Sequence, residues 1–163
     1  MTLFPGDTIW QKFNVFIGTG FGIGLLAPFA PGTFGSLPGV ALALLISRMT
    51  LLSQVLICIV LTLAAIPPCH IAEAVLRKKD DGRICADEWM LFPICVIGIP
   101  LHEVWLLLPL FFIVARICDI VKPPPARGLQ RIKGGFGIVI DDFFASLYAL
   151  LINYLIYRAW LYF

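Results

Sequence analysis

Residues 49–72 contain no Asp, Glu, Lys or Arg, and four more stretches share that property: residues 13–47, 89–102, 104–115 and 143–157. A helix crosses a bilayer with about 20 mainly apolar residues rising 1.5 Å each. Residues 49–72 meet that requirement. Residues 143–163 also meet it, with Asn153 inside and Arg158 near the end, where its stem can snorkel. Residues 37–47, 89–101 and 104–117 are shorter and read as tilted, paired or partly embedded helices. The expected architecture is all-α: a polytopic membrane bundle of about four spanning helices with short embedded helices.

Composition makes lipid part of the solvent. The chain is 60% hydrophobic and 13% charged, against roughly 25% charged in a soluble domain. Its 163 residues favour a single membrane-embedded domain over 1–163, with no room for a separate soluble catalytic module. A net charge of +2 with no concentrated basic face argues against a nucleic-acid partner. Cys58, Cys69, Cys85, Cys95 and Cys118 lie apart, mostly in apolar runs, and read as buried reduced thiols. Residues 1–10 lack the cationic start and cleavage site of a secretory signal, so the chain is expected to stay whole.

Glycines and prolines crowd residues 18–39, which makes one uniform helix there unfavourable. The expected path is a helix to about Leu26, a re-entrant Pro/Gly turn over residues 31–36, then another helix. Irregular backbone at membrane depth is tolerated where protein or a water-filled cavity satisfies it. Close helix packing through small residues explains the same glycines equally well. With four spans, the basic loops around Arg77, Lys78, Lys79 and Arg83 and around Lys122, Arg127, Arg131 and Lys133 fall on one side with Lys12. That side is expected to be cytoplasmic.

The chain has ten acidic residues, and most gather at the basic end of the apolar segments. They are Asp80, Asp81, Asp87 and Glu88, then Asp119, then Asp141 and Asp142. Acids at a membrane border are costly unless paired or bound to a cation. Carboxylates from separate loops, beside Lys and Arg, suit magnesium and metal-assisted phosphoryl chemistry. Favourable helix N-termini and solvated loop charges are the ordinary alternatives. Neither CxxxxxR nor DxDx[TV] occurs, so cysteine-nucleophile and aspartyl-nucleophile phosphatases of those patterns are excluded. His70 and His102 read as satisfied interfacial residues. A transporter or channel would place ionisable groups at mid-membrane or in an internal repeat, and no repeat is visible.

Three stretches together resemble the phosphatidylglycerophosphatase A family. They are GFGIGLLAPFAPGTFGS over residues 20–36, DDGRICADE over 80–88, and a block from Arg116 through Asp119, Lys122 and Pro123 to GGFGIVIDD over 134–142. The resemblance implies a magnesium-dependent enzyme of the bacterial inner membrane. It would hydrolyse phosphatidylglycerophosphate to phosphatidylglycerol and phosphate at the cytoplasmic face. By matching positions, Asp80, Asp87, Glu88, Asp119, Asp141 and Asp142 become candidate catalytic groups. Magnesium would be held by some of Asp80, Asp87, Glu88, Asp141 and Asp142. Thr33 and Lys122, with Arg131 or Lys133, become candidate phosphate contacts. Gln130-Arg131 and Lys133 depart from the acid and the His common in the family, so no general-acid role passes to them. Water and an aspartate both remain as nucleophile, and another phospholipid monoester remains as substrate.

Overall fold

The computed structural model describes residues 4–79 and 81–162, and among them every regular element is helical. The elements are α1 (Ile9–Gly18), α2 (Ile23–Leu26), α3 (Pro31–Gly35), α4 (Leu37–Ile46), α5 (Leu51–Leu76), α6 (Ala86–Leu91), α7 (Leu108–Val121), α8 (Ala126–Leu129) and α9 (Gly135–Trp160). A 3₁₀ helix, Phe92–Val96, continues α6, and another, Trp105–Leu107, leads into α7. Local chemistry explains several starts. Thr8 and Gln11 form a reciprocal capping box at α1, and Thr50 caps α5 by accepting from the Ser53 amide at 3.3 Å.

Two helices, α5 and α9, are long and apolar enough to cross a membrane, fewer than the four spans expected. The other apolar segments are shorter because glycine and proline interrupt them. The expected helix to Leu26 breaks after Gly18, where Gly20, Phe21 and Gly22 all take positive φ. The turn expected over residues 31–36 is helical instead: α3 begins on Pro31, whose fixed φ suits a first helical position, and Ser36 joins it to α4. Asp141 and Asp142 fall inside α9, which starts at Gly135 rather than after them.

The core is built around a segment that is not a long helix. Residues 86–96 are buried except for the half-buried Glu88, and α4, α5, α7 and α9 pack on them. This segment descends beside α5. Its upstream end is fixed where the Cys85 amide donates to the Gly18 carbonyl at 2.7 Å. Its downstream end is fixed where the Gly98 amide donates to Gln54 Oε1 at 2.9 Å, near the start of α5. Asn153, fully buried in α9, donates to the Cys95 carbonyl at 3.0 Å. These two amide side chains satisfy backbone groups in and just beyond the 3₁₀ helix.

The glycines of α3 and α4 explain how close that segment lies. Gly32, Gly35 and Gly39 recur at helical spacing on one face. A Cβ at Gly32 would overlap the Glu88 carboxylate, one at Gly35 the Cys85 side chain, and one at Gly39 the Trp89 backbone and Phe92. Gly39→Ala should therefore lower the melting temperature of the purified protein in detergent, by an overpacking cost of about 1–3 kcal/mol. Gly82→Ala, where a methyl meets nothing within 4 Å, should leave it unchanged. Equal melting of the two variants would contradict the packing described.

Candidate active site

Three helices bring ionisable side chains to one end of the bundle. From α6 come Asp87 and Glu88, and from the end of α7 come Arg116, Asp119 and Lys122. Their spacing of three stacks these α7 residues along one helical face. From α9 come Asp141 and Asp142. Lys122 terminates α7 in a left-handed conformation with φ 46°, ahead of Pro123, Pro124 and Pro125, which prevent the helix from continuing. Tyr148 donates to the Pro124 carbonyl at 2.6 Å and ties this corner to α9.

Two cations organise the acids. Arg116 Nη1 lies 2.7 Å from Glu88 Oε2 and 3.0 Å from Asp119 Oδ2. Lys122 Nζ lies 2.5 Å from Asp141 Oδ2, 2.7 Å from Asp142 Oδ1 and 3.5 Å from Asp119 Oδ1. Asp119 thus joins both halves of the network. Burial pulls Lys122 toward its neutral form, but Asp142, Asp119 and Asp141 outweigh it and hold the ammonium above the ordinary lysine range. Asp87 is buried, and its Oδ1 has no hydrogen-bonding partner among the described residues. Five carboxylates, Asp87, Glu88, Asp119, Asp141 and Asp142, therefore face two cations.

The donor set fits a hard divalent cation in chemistry: oxygen ligands that outnumber the nearby cations, among them the buried Asp87 Oδ1, which has no hydrogen-bonding partner among the described residues. Among the described residues, however, no group of three His, Cys, Asp or Glu forms a ready ligand cage, because Lys122 and Arg116 lie between the carboxylates. A cavity of about 30 Å³ opens beside the cluster, lined in part by Ser36, Glu88, Arg116, Asp119, Asp142 and Ser146. It has room for about one water.

The other residues singled out in the sequence divide. Asp80 lies outside the described residues. Thr33 sits half-buried on α3 with no hydrogen bond to the cluster among the described residues. Arg131 and Lys133 are exposed on the loop before α9 and make no ion pair with the cluster among the described residues. Asp81 serves the loop before α6: Arg83 grips it through Nε at 3.0 Å and Nη2 at 2.9 Å. That grip lowers the Asp81 carboxyl below its ordinary range. His70 Nδ1 accepts the Gly135 amide at 3.4 Å at the start of α9, and His102 lies 3.5 Å from Glu103. His70 thus meets the start of α9, whereas the His102 contact joins two exposed neighbours in the chain.

Two contributors carry no role in the sequence reading. Arg116 was visible there only as part of a motif, although its spacing of three from Asp119 and Lys122 was a usable signal. Ser36, at the end of the glycine-rich stretch, reaches Glu88 Oε2 at 2.6 Å, and only the packing of α3 on α6 reveals that contact.

The sequence pattern of the family described as "Phosphatidylglycerophosphatase A" matches residues 16–157. A Haemophilus influenzae protein named phosphatidylglycerophosphatase A is 35% identical over 145 residues, covering 86% of this chain and 86% of the relative. One of the same name from Escherichia coli is 34% identical over 148 residues, covering 88% and 83%. A Bacteroides thetaiotaomicron protein provisionally named phosphatidylinositol-3-phosphatase is 35% identical over 144 residues, covering 85% and 89%. No solved structure matches.

Lys122 joins Asp119, Asp141 and Asp142 across α7 and α9, so Lys122→Met strands those charges in a poorly solvated site. The variant should lose about 3–5 kcal/mol of stability, measured as a fall in detergent melting temperature. Adding Asp142→Asn should recover part of that loss. A Lys122→Met protein that melts like the wild type would contradict the pairing.

Proposed function

Because this chain belongs to the phosphatidylglycerophosphatase A family, we propose that it hydrolyses phosphatidylglycerophosphate to phosphatidylglycerol and inorganic phosphate. The observation that carries this reading is the convergence of Asp87, Glu88, Asp119, Asp141 and Asp142 on Arg116 and Lys122, at one end of apolar helices. A phospholipid can keep its acyl chains in the bilayer while its phosphomonoester meets charged groups at the border.

Arg116 and Lys122 would bind the non-bridging phosphate oxygens, since phosphoryl transfer depends on positioning and charge neutralisation. Arg116 offers a planar fork suited to phosphate, and Lys122 a compact ammonium. At about 30 Å³ the cavity is too small for a phosphate group, so both cations would turn from their carboxylates toward its mouth. Arg131 and Lys133, exposed on the loop before α9, would draw the anionic head group in, and Thr33 lies on the neighbouring α3. Asp87, with Asp141, Asp142 and Glu88, would hold magnesium, and Asp80 would join them. When bound, magnesium lowers the pKa of a coordinated water and screens the phosphate charge. A carboxylate beside the cavity would take the proton from the attacking water, and an acid would return it to the departing glycerol oxygen.

The topology proposed has four crossings in alternating directions: α5, residues 86–98, α7 and α9. Arg77, Lys78, Lys79 and Arg83 and then Lys122, Arg127, Arg131 and Lys133 would share the side of the acids. The excess of basic residues supports a cytoplasmic placement at the bacterial inner membrane. The name of the Bacteroides relative supports a second reading, a different phospholipid monoester as preferred substrate.

Phosphate release from phosphatidylglycerophosphate by the detergent-purified chain tests both readings, with phosphatidylinositol-3-phosphate as competitor. Release should require magnesium and stop with EDTA. Asp87→Asn should reduce kcat by roughly 100-fold or more, the scale of a lost catalytic acid or base. EDTA-resistant release would remove the metal. No release from phosphatidylglycerophosphate, with turnover of the inositol lipid, would move the chain to the second substrate.

A further inference from the structure

Ser36 is 2% exposed at the joint between α3 and α4. Its Oγ lies 2.6 Å from the Gly32 carbonyl, 2.6 Å from Glu88 Oε2 and 3.4 Å from Arg116 Nη1. A serine inside a helix ordinarily returns its hydroxyl to the carbonyl four residues earlier, and Gly32 offers that partner. The contact to Glu88 is additional and comes from a residue far along the chain. A hydroxyl has one proton and two lone pairs, so it cannot donate to both oxygens at once.

We propose that Ser36 is a positioning residue for the phosphatase reaction: its hydroxyl donates to Glu88 Oε2 and fixes that carboxylate in the cavity. Arg116 takes the same oxygen at 2.7 Å, so both contacts hold the carboxylate through Oε2. Gly32 closes a third side, because any Cβ there would overlap both carboxylate oxygens. Hydroxyl, guanidinium and bare glycine together limit the rotation of Glu88, as the orienting partners of a working ligand do. The assignment rests on the phosphatase reading above. A serine that only returned its proton to Gly32 would matter little to turnover, since such a bond slightly destabilises a helix.

The test measures kcat, KM and detergent melting temperature for the wild-type chain and for Ser36→Cys, Ser36→Ala and Ser36→Thr. Cysteine keeps the volume but donates weakly, alanine removes the donor, and threonine keeps the hydroxyl. Ser36→Cys and Ser36→Ala should lose roughly 10–100-fold in kcat, the usual cost of an orienting partner. KM should stay within about twofold and melting close to the wild type, and Ser36→Thr should restore most of kcat. A Ser36→Cys protein with unaltered kcat would overturn the assignment, as would a Ser36→Thr protein as slow as Ser36→Ala at the same melting temperature. If the wild-type chain releases no phosphate from any lipid monoester, the phosphatase reading and this assignment fail together.

Discussion

The head of this bundle depends on one electrostatic constraint: buried carboxylates that outnumber the cations holding them. Lys122 ties Asp119 to Asp141 and Asp142, and Arg116 ties Asp119 to Glu88. Asp87 keeps an oxygen with no partner among the described residues. A purely structural network would pair its charges fully, because an uncompensated buried carboxylate costs several kcal/mol. Such an imbalance is stable only if protons or a further cation complete it, and an oxygen-only donor set favours a hard cation.

The rest of the fold serves to deliver those groups. Asp87 and Glu88 sit on a helix too short to span anything, and its 3₁₀ continuation is irregular backbone deep in an apolar bundle. Gln54 and Asn153 satisfy that backbone from α5 and α9. The glycine face of α3 and α4 allows it to lie close enough for Ser36 to reach Glu88. Specific polar clasps and bare glycines thus do here what a long regular helix would do by itself. The same closeness makes the site sensitive to a single methyl group.

Much of this was legible in the sequence. Charge-free runs identified α5 and α9, because length and apolarity suffice for a span. The placement of acids at one edge of those runs singled out seven residues. Of these, Asp87, Glu88, Asp119, Asp141 and Asp142 meet in the structure, while Asp81 pairs with Arg83 and Asp80 lies outside the described residues. Lys122 was marked by the family resemblance. The glycine-rich stretch was harder: its residues allow a re-entrant turn or a close-packed helix, and only the neighbour they face decides between them. Of the four spans expected, two appear as single long apolar helices, since residues 86–98 run beside α5 without the length of a single helix. Ser36 lacked an assigned role because its partner Glu88 is distant in the chain; Arg116 shares a helical face with Asp119, but its pairing with Glu88 is equally distant. Thr33, Arg131 and Lys133 were drawn in by motif proximity, yet among the described residues none joins the cluster.

Binding of Mn²⁺, a paramagnetic stand-in for magnesium, tests the charge imbalance most directly. Electron paramagnetic resonance would read it on the purified, metal-stripped chain in detergent, beside Asp87→Asn. The account predicts that the wild type binds Mn²⁺, that magnesium displaces it, and that Asp87→Asn binds at least about tenfold more weakly, a difference of about 1.4 kcal/mol. A wild-type chain that binds no Mn²⁺, or an Asp87→Asn variant that binds it equally well, would contradict the proposal that Asp87 helps to hold a divalent cation.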